Sequence, residues 1–268
     1  EYGTGFSLSS YKNKLNWQTS VNYSQPTWRD DLFLTRTVVD TIYDQVTREP
    51  YDPVNFTING NIDYYINTKN SIGISGRFNT RTSTRTVDNV TNIIRPSSTQ
   101  VLLTNNSFDR DRVDFNINPY YEYKSDTDKL LIDFNYVDFT NNSTNTLFDT
   151  PESTSSFLDR RYNQDGIYKI KTYRIDYQKT VSENLKFKAG TLFTDVTTDN
   201  DLESLQENTN GSFDLIQEES SRFVVEETIL AFYAKMNATL GDWTFTTGLR
   251  YEDSNTDGIS TFMKHGEL

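Results

Sequence analysis

The stretch Phe56–Arg81 decides the fold, and it reads FTINGNIDYYINTKNSIGISGRFNTR. Apolar residues and glycines stand at every second position from Phe56 to Ile66 and again from Ile72 to Phe78, with mostly polar residues between them. Because successive side chains of a β-strand point to opposite faces, each run predicts a strand with one apolar and one polar face. The polar segment Asn67–Asn70 between the runs predicts a tight turn, so the stretch forms a β-hairpin.

The same hairpin pattern recurs along the whole chain. Short polar turns are centred roughly every 55 to 60 residues, and alternating segments of roughly ten residues flank each turn. The turns are Lys12–Lys14, Asn67–Asn70, Ser125–Asp128, Val181–Asn184 and Leu240–Asp242. Five hairpins predict ten strands in an all-β, antiparallel up-and-down meander, which is the pattern of a transmembrane β-barrel.

Long polar connections join these hairpins. They are Gln25–Pro53, Asp88–Asp111, Asn141–Gln164 and Thr198–Arg222. Barrels of the outer membrane carry long loops on the extracellular side and short turns on the periplasmic side, so we expect these connections to be extracellular loops. Within the first of them, Leu32–Leu34 and Thr37–Tyr43 predict strand that extends above the membrane as a projecting hairpin.

Composition supports a wall with one face in lipid. Aromatic residues make up 14% of the chain and hydrophobic residues 34%, and a barrel strand needs apolar side chains only at alternate positions. No run of about 18 apolar residues occurs, which excludes a transmembrane helix. The net charge of −12 argues against a nucleic-acid partner, and the absence of cysteine excludes a disulfide framework. We expect residues 1–268 to form a single outer-membrane barrel domain.

Alternation assigns residues to each face of the wall. The apolar positions predict contact with outer-membrane lipid. These lipid-facing candidates are Trp17, Val21, Phe56, Ile58, Ile62, Ile72, Ile74, Phe115, Ile132, Phe134, Phe187, Phe232, Phe245 and Leu249. Charged residues on the same strands predict the opposite, lumen-facing side. These candidates are Asp63, Arg77, Asp114, Glu122, Arg174, Asp176, Arg250 and Glu252. They either pair with one another across the wall, or hold a plug domain or line a solute path.

Three local features leave the pattern uncertain. Pro119 cannot donate a ladder hydrogen bond, so we expect a bulge or a sheet edge there. The segment Val137–Phe139 suggests a slip of the alternation by one residue. In the ninth predicted strand, the series beginning at Ile229 competes with the series beginning at Leu230 for the apolar face.

Little in the sequence favours catalysis. The single histidine, His265, stands close to the end of the chain without a partner pattern, so an enzyme is not expected. The alternating acids Asp199, Asp201 and Glu203 could approach a calcium ion, but the segment lacks the glycine and the distal glutamate of an EF-hand loop. We therefore favour solvated acidic loops, with no metal and no cofactor.

Two segments near the end of the chain resemble TonB-dependent outer-membrane receptors. Glu227–Ala234 reads ETILAFYA, and Leu240–Trp243 then leads to Gly248–Glu252, which reads GLRYE. In that family a Gly-Leu-Arg-Tyr-Glu strand follows a tight turn after an Ala-x-Tyr strand. The wider rhythm is similar to that of the receptor-like outer-membrane β-barrel proteins of Gram-negative bacteria.

The resemblance implies a barrel of about 22 strands around an N-terminal plug, with energy supplied by a TonB-type coupling protein. The sequence shows no plug or energy-coupling segment before Glu1, and Leu268 is not the aromatic residue that usually ends such barrels. We therefore expect an internal, ten-stranded part of a larger barrel, although ten strands could also close into a small barrel. The implied function is capture and import of a small extracellular solute. The alternative is a soluble or surface-exposed β-sheet module for binding or adhesion, in which two apolar faces pack against each other.

Overall fold

The computed structural model describes residues 2–151 and 159–262, and these residues form one antiparallel sheet of 13 strands. The strands are β1 (Tyr2–Lys12), β2 (Leu15–Gln25), β3 (Trp28–Val38), β4 (Thr41–Tyr51), β5 (Val54–Tyr65), β6 (Asn70–Arg95), β7 (Ser98–Lys124), β8 (Asp128–Pro151), β9 (Arg160–Ser182), β10 (Leu185–Glu207), β11 (Phe213–Leu215), β12 (Ser221–Leu240) and β13 (Trp243–Phe262). A 3-10 turn, Gln217–Glu219, precedes β12. In the described ranges no helix is long and apolar enough to cross a membrane.

Ten of the strands form an up-and-down meander in the order β1-β2-β5-β6-β7-β8-β9-β10-β12-β13. The all-β, antiparallel fold class is thus confirmed. The count of ten strands is wrong for the sheet as a whole, because β3, β4 and the short β11 lie off this path. Within the described residues no ladder joins β1 to β13, so these two strands are edges of the sheet.

The five tight turns are confirmed. In each of them one strand ends and the next begins within a few residues of the predicted positions. Asn13 and Gly241 both have φ near 59°, a left-handed conformation that asparagine and glycine adopt more readily than other residues. Local residue preferences of this kind determine where the hairpins turn.

The predicted long loops are mostly wrong. β6 runs on to Arg95 and β7 begins at Ser98, so the expected loop Asp88–Asp111 is strand except for a two-residue turn. β8 reaches Pro151 and β9 starts at Arg160, while residues 152–158 of the third connection lie outside the described residues. The fourth connection, Thr198–Arg222, is strand as far as Glu207. Alternation missed these extensions because backbone ladders hold a strand together even where water wets both of its faces.

A hairpin does occupy the first connection, as expected, but its turn at residues 39 and 40 divides the segment Thr37–Tyr43, which was predicted to be strand throughout. β3 and β4 pair with each other, and β4 then pairs with β6 from Arg85 to Ile94. The lower part of β6, Ser71–Thr82, pairs with β5 instead. β4 therefore continues the wall where β5 ends, with the buried Pro53 between them.

The expected bulge or edge at Pro119 is wrong. Pairing between β7 and β8 is interrupted at Asn118 and Pro119 and resumes at Tyr120 opposite Asp133, with no register shift. The Asn118 side-chain Nδ2 donates to the Phe134 carbonyl at 2.9 Å. A side-chain amide thus satisfies a backbone acceptor beside the residue that has no N–H to offer.

The expected slip at Val137–Phe139 is also wrong. Ladder pairing stays in phase and places Asp138 opposite Phe115 on the apolar face. The Tyr136 hydroxyl donates to Asp138 Oδ2 at 2.9 Å, which gives this carboxylate a partner on that face. Backbone continuity therefore decided the register against the local side-chain pattern. In β12 the ladders place Leu230 on the apolar face and Ile229 on the polar one.

Candidate functional site

The polar face of the sheet holds all eight lumen-facing candidates, and the opposite face holds all fourteen lipid-facing candidates. Residues directly opposite each other in a ladder share a face. One such row on the apolar face runs from Ile72 through Tyr121, Ile132 and Ile175 to Thr191 and Phe232. We call the two sides the polar face and the apolar face.

Burial differs sharply between these faces. The buried strand side chains Asp63, Ser83, Asp133, Ser143, Ser204 and Ala231 all lie on the polar face. On the apolar face most of the large side chains are exposed, with Leu249 at 84% and Phe245 at 54%. Ala231 is the one buried hydrophobic residue in the described part of the chain. Apolar side chains are thus not packed under a second layer of this chain, as a sandwich would require.

The apolar face is apolar only in the half of the sheet next to the tight turns. On β7 it is lined by alternate residues from Val113 to Tyr123, and Asp111 and Asp109 follow above on the same side. A tilted transmembrane strand needs about 9–11 residues to cross the hydrocarbon. The stretch Val113–Tyr123 has that length, and the apolar run is shorter on later strands, where it ends at Tyr136 before Asp138 on β8 and at Tyr173 before Lys171 on β9. We call the mainly apolar run next to the tight turn on this face of each strand the apolar band.

A tyrosine, a glycine and an aspartate on three neighbouring strands form a unit on the polar face. Asp63 on β5 lies opposite Gly73 on β6, and Gly73 lies opposite Tyr120 on β7. The Tyr120 hydroxyl passes over the glycine and donates to Asp63 Oδ1. A Cβ atom at Gly73 would lie 2.4 Å from the Tyr120 ring, so a side chain there would displace the tyrosine. Asn16 and Asn61 also donate to Asp63, at 3.0 and 2.9 Å.

The same unit is repeated four strands further along the meander. Asp176 on β9, Gly190 on β10 and Tyr233 on β12 are aligned by their ladders, and the Tyr233 hydroxyl donates to Asp176 Oδ1. Lys188 Nζ lies 3.3 Å from Asp176 Oδ2 and 5.7 Å from the centre of the Tyr233 ring. These two Tyr-Gly-Asp units tie three strands each by side chains, in addition to the backbone ladders.

Other predicted lumen-facing residues form ion pairs or hydrogen bonds with neighbouring strands. Arg174 Nε donates to Asp133 Oδ2 at 2.7 Å, and Lys129 Nζ lies 2.7 Å from Glu122 Oε1. Asp114 accepts from Asn79 Nδ2 at 3.0 Å.

The eight candidates are mostly not partners of one another. Arg250 and Glu252 are the exception, since they pair on one strand at 2.5 Å. Arg77 is exposed on the polar face.

Above the apolar band, four arginines gather on the polar face of β6 and β7. This arginine cluster consists of Arg81, Arg85, Arg110 and Arg112, and ladder pairs set Arg81 opposite Arg112 and Ser83 opposite Arg110. The guanidinium carbons of Arg85 and Arg110 lie 5.2 and 4.5 Å from the centre of the Phe108 ring. Burial, and then the neighbouring guanidinium groups of the cluster, lower the pKa of Arg110, whose side chain nevertheless stays charged at neutral pH.

Neither the two Tyr-Gly-Asp units, with Tyr120 and Tyr233, nor the arginine cluster was predicted from the sequence. A signal for the arginines was present, because residues 77, 81 and 85 are spaced by four and therefore share one face of a strand. Arg110 fell in a segment that was expected to be loop. No local signal marks the two Tyr-Gly-Asp units, since each joins residues 57 positions apart.

The acidic segment of β10 is occupied by other contacts. Arg222 makes a bidentate pair with Asp199, at 2.9 and 2.6 Å, which lowers the pKa of that carboxyl. Burial, and then the nearby Glu203 carboxylate, raise the pKa of Asp201. The described residues contain no group of three or more acids or histidines placed to hold a metal ion. His265 lies outside the described residues.

An exposed apolar band on one side and hydrogen-bonded charges on the other define a membrane-spanning β-barrel wall. The outer membrane protein β-barrel family matches residues 121–265, and the chain belongs to this family. The protein is therefore located in the outer membrane, where lipid surrounds it.

Several solved barrels are similar in structure at low sequence identity. The ferric citrate transporter FecA is 10% identical over 93% of this chain and 50% of its own, with a TM-score of 0.34. The toluene transporter TodX of P. putida is 10% identical over 98% of this chain and 83% of its own, with a TM-score of 0.31. The chain thus spans about half the length of FecA. No curated protein matches the sequence significantly.

Proposed function

We propose that this chain is part of the barrel wall of a TonB-dependent outer-membrane receptor that captures an extracellular solute and imports it. The observation that carries the proposal is the polar face, whose charged side chains run from the turn end to the top of the apolar band. A wall with lipid on one side needs such a face only if water, a plug domain or a solute occupies the other side. The Gly-Leu-Arg-Tyr-Glu strand Gly248–Glu252 adds the resemblance to that receptor family.

In this proposal the solute passes unchanged, without catalysis and without a cofactor. A plug domain would occupy the polar side, and a TonB-type protein would supply energy through it. The eight charged candidates would line the lumen, while the fourteen apolar candidates would contact lipid.

Cysteine labelling tests which face meets lipid, because this chain holds no cysteine. Arg77→Cys and Phe78→Cys are the best pair, since both positions are exposed and adjacent but lie on opposite faces. In outer-membrane vesicles, a charged maleimide should react with Arg77→Cys and leave Phe78→Cys unmodified. After the vesicles are dissolved in SDS, the same reagent should label Phe78→Cys as well, which shows that its thiol is present and was shielded by lipid. Equal reaction of both variants with the charged reagent would favour a surface module outside the bilayer.

Transport is tested in cells that carry the complete gene. Mass spectrometry of spent medium should show a solute that the wild type depletes and a deletion strain leaves. Loss of the TonB-type protein should abolish that depletion. Unchanged depletion in its absence would indicate a passive channel, and no difference between wild type and deletion strain would indicate binding or adhesion without transport.

A further inference from the structure

The arginine cluster is a concentration of positive charge in a chain of net charge −12. Among the described residues, Glu49 is the carboxylate in contact with the cluster, through a 2.5 Å pair with Arg85 Nη1. Asp114 lies two positions from Arg112 on the same face and accepts from Asn79. Four guanidinium groups therefore face two carboxylates, and the excess charge is positive.

The cluster also has unused hydrogen-bond donors. The Nε atoms of Arg81, Arg85 and Arg110 are buried and have no hydrogen-bond partner. Buried polar atoms without partners are uncommon, and each of them carries a desolvation cost. All four arginine side chains are still partly exposed on the polar face, so a ligand with several anionic oxygens could reach their guanidinium groups, which bind carboxylate or phosphate through paired N–H groups.

Aromatic rings hold the arginines in place without neutralising them. Phe108 contacts both Arg85 and Arg110, and the Tyr51 hydroxyl accepts from Arg81 Nη2 at 2.7 Å. The Arg112 Nε donates to Asn141 Oδ1 at 2.9 Å. These contacts order the side chains before a ligand arrives, which reduces the entropy lost on binding.

We infer that the arginine cluster is a binding site for a soluble polyanion, a solute that carries several carboxylate or phosphate groups. The polar face selects a soluble anion over a lipid phosphate, since lipid lies against the opposite face. The cluster begins directly above Val113, where the apolar band ends, so a solute that enters from the extracellular side meets it before the membrane-spanning part of the wall. This site rests on the proposed import function, for which it names the class of solute.

Binding is measured on the purified full-length protein in detergent by isothermal titration calorimetry, with citrate, pyrophosphate and uncharged maltose as probes. At least one anion should bind, maltose should not, and the anion affinity should fall as salt is raised. The anion that binds more tightly shows whether the site prefers carboxylate or phosphate groups. Arg110→Gln and Arg112→Gln should each weaken binding about 10-fold, the effect expected for loss of one charged hydrogen bond.

Arg48→Gln is the matched control. Arg48 lies on β4 opposite Asp88, at similar height but on the other face of the sheet, and its loss changes the net charge equally. Equal affinity in Arg110→Gln and Arg48→Gln would overturn the inference, as would the failure of both anions to bind the wild type. A lower thermal midpoint in the cluster variants with unchanged anion affinity would also overturn it, and would assign the cluster a structural role.

The two proposals fail separately. If anion binding depends on the cluster but solute depletion does not need the TonB-type protein, the binding site is supported and energised import is rejected. Energised import without anion binding rejects the site alone.

Discussion

The two halves of the long strands β6 to β10 have the same backbone but different side chains. Next to the tight turns, one face is apolar and exposed while the other is polar and densely hydrogen-bonded. Further from the turns both faces are polar, as the pair Asp111 on one side and Arg112 on the other shows. The ladder is continuous through both halves, so side chains decide where the membrane lies and backbone pairing decides how far the wall extends.

The largest expected effect comes from a charge in the middle of the apolar band. Ile74→Arg should lower the free energy of unfolding from a bilayer by about 2–4 kcal/mol, because an arginine on the lipid face at mid-depth must leave water. Thr82→Arg is the control, since Thr82 lies on the same strand and face but above the band, opposite Asp111. It should change stability by about 0.5 kcal/mol or less. Urea unfolding in lipid vesicles measures both, and equal losses would mean that the band is not the lipid contact.

A smaller effect is expected from the first Tyr-Gly-Asp unit. Gly73→Ala should destabilise the protein by about 1–3 kcal/mol, because the new methyl group would overlap the Tyr120 ring. Gly60→Ala is the matched control on the adjacent strand, where a Cβ atom would meet nothing within 4 Å. The same urea titration compares them. A Gly73→Ala protein as stable as Gly60→Ala would show that the tyrosine moves aside without cost.

The smallest effect concerns pH and the upper half of the sheet. The pKa of Asp201 is raised, so the folded state binds its proton more readily than the unfolded state, and the ionised carboxylate destabilises the fold. Asp201→Asn should therefore raise the unfolding midpoint slightly at pH 7. This gain should disappear as the pH falls through the raised pKa toward the ordinary aspartate value of about 3.9. Asp242→Asn, in the last turn, is the control for loss of one negative charge. If the higher unfolding midpoint of Asp201→Asn persists at low pH, the raised pKa of Asp201 is not its cause.

What the sequence could predict follows from the same contrast. Local patterns could be predicted, such as the turn Asn67–Asn70 and the alternating run that begins at Phe56. In that run, lipid against one face requires an apolar residue at every second position. The upper part of β7, from Ser98 to Arg112, could not be predicted, because water on both sides removes the periodic pattern of apolar residues. Tyr120 and Asp63 could not be joined from sequence either, since their contact depends on the register of two ladders and on a glycine between them.

β6 pairs with β5 in its lower part and with β4 in its upper part. This change of partner separates the rim of the wall from its base. Pro53 stands at the junction, and a proline needs no ladder partner for a backbone N–H. Residues 26–52 therefore form a hairpin that is held to the rest of the sheet by the ladder between β4 and the upper part of β6. A graft of another hairpin in their place would alter what the rim offers to the outside, while the pairing of β2 with β5, and of β5 with the base of β6, would stay as it is.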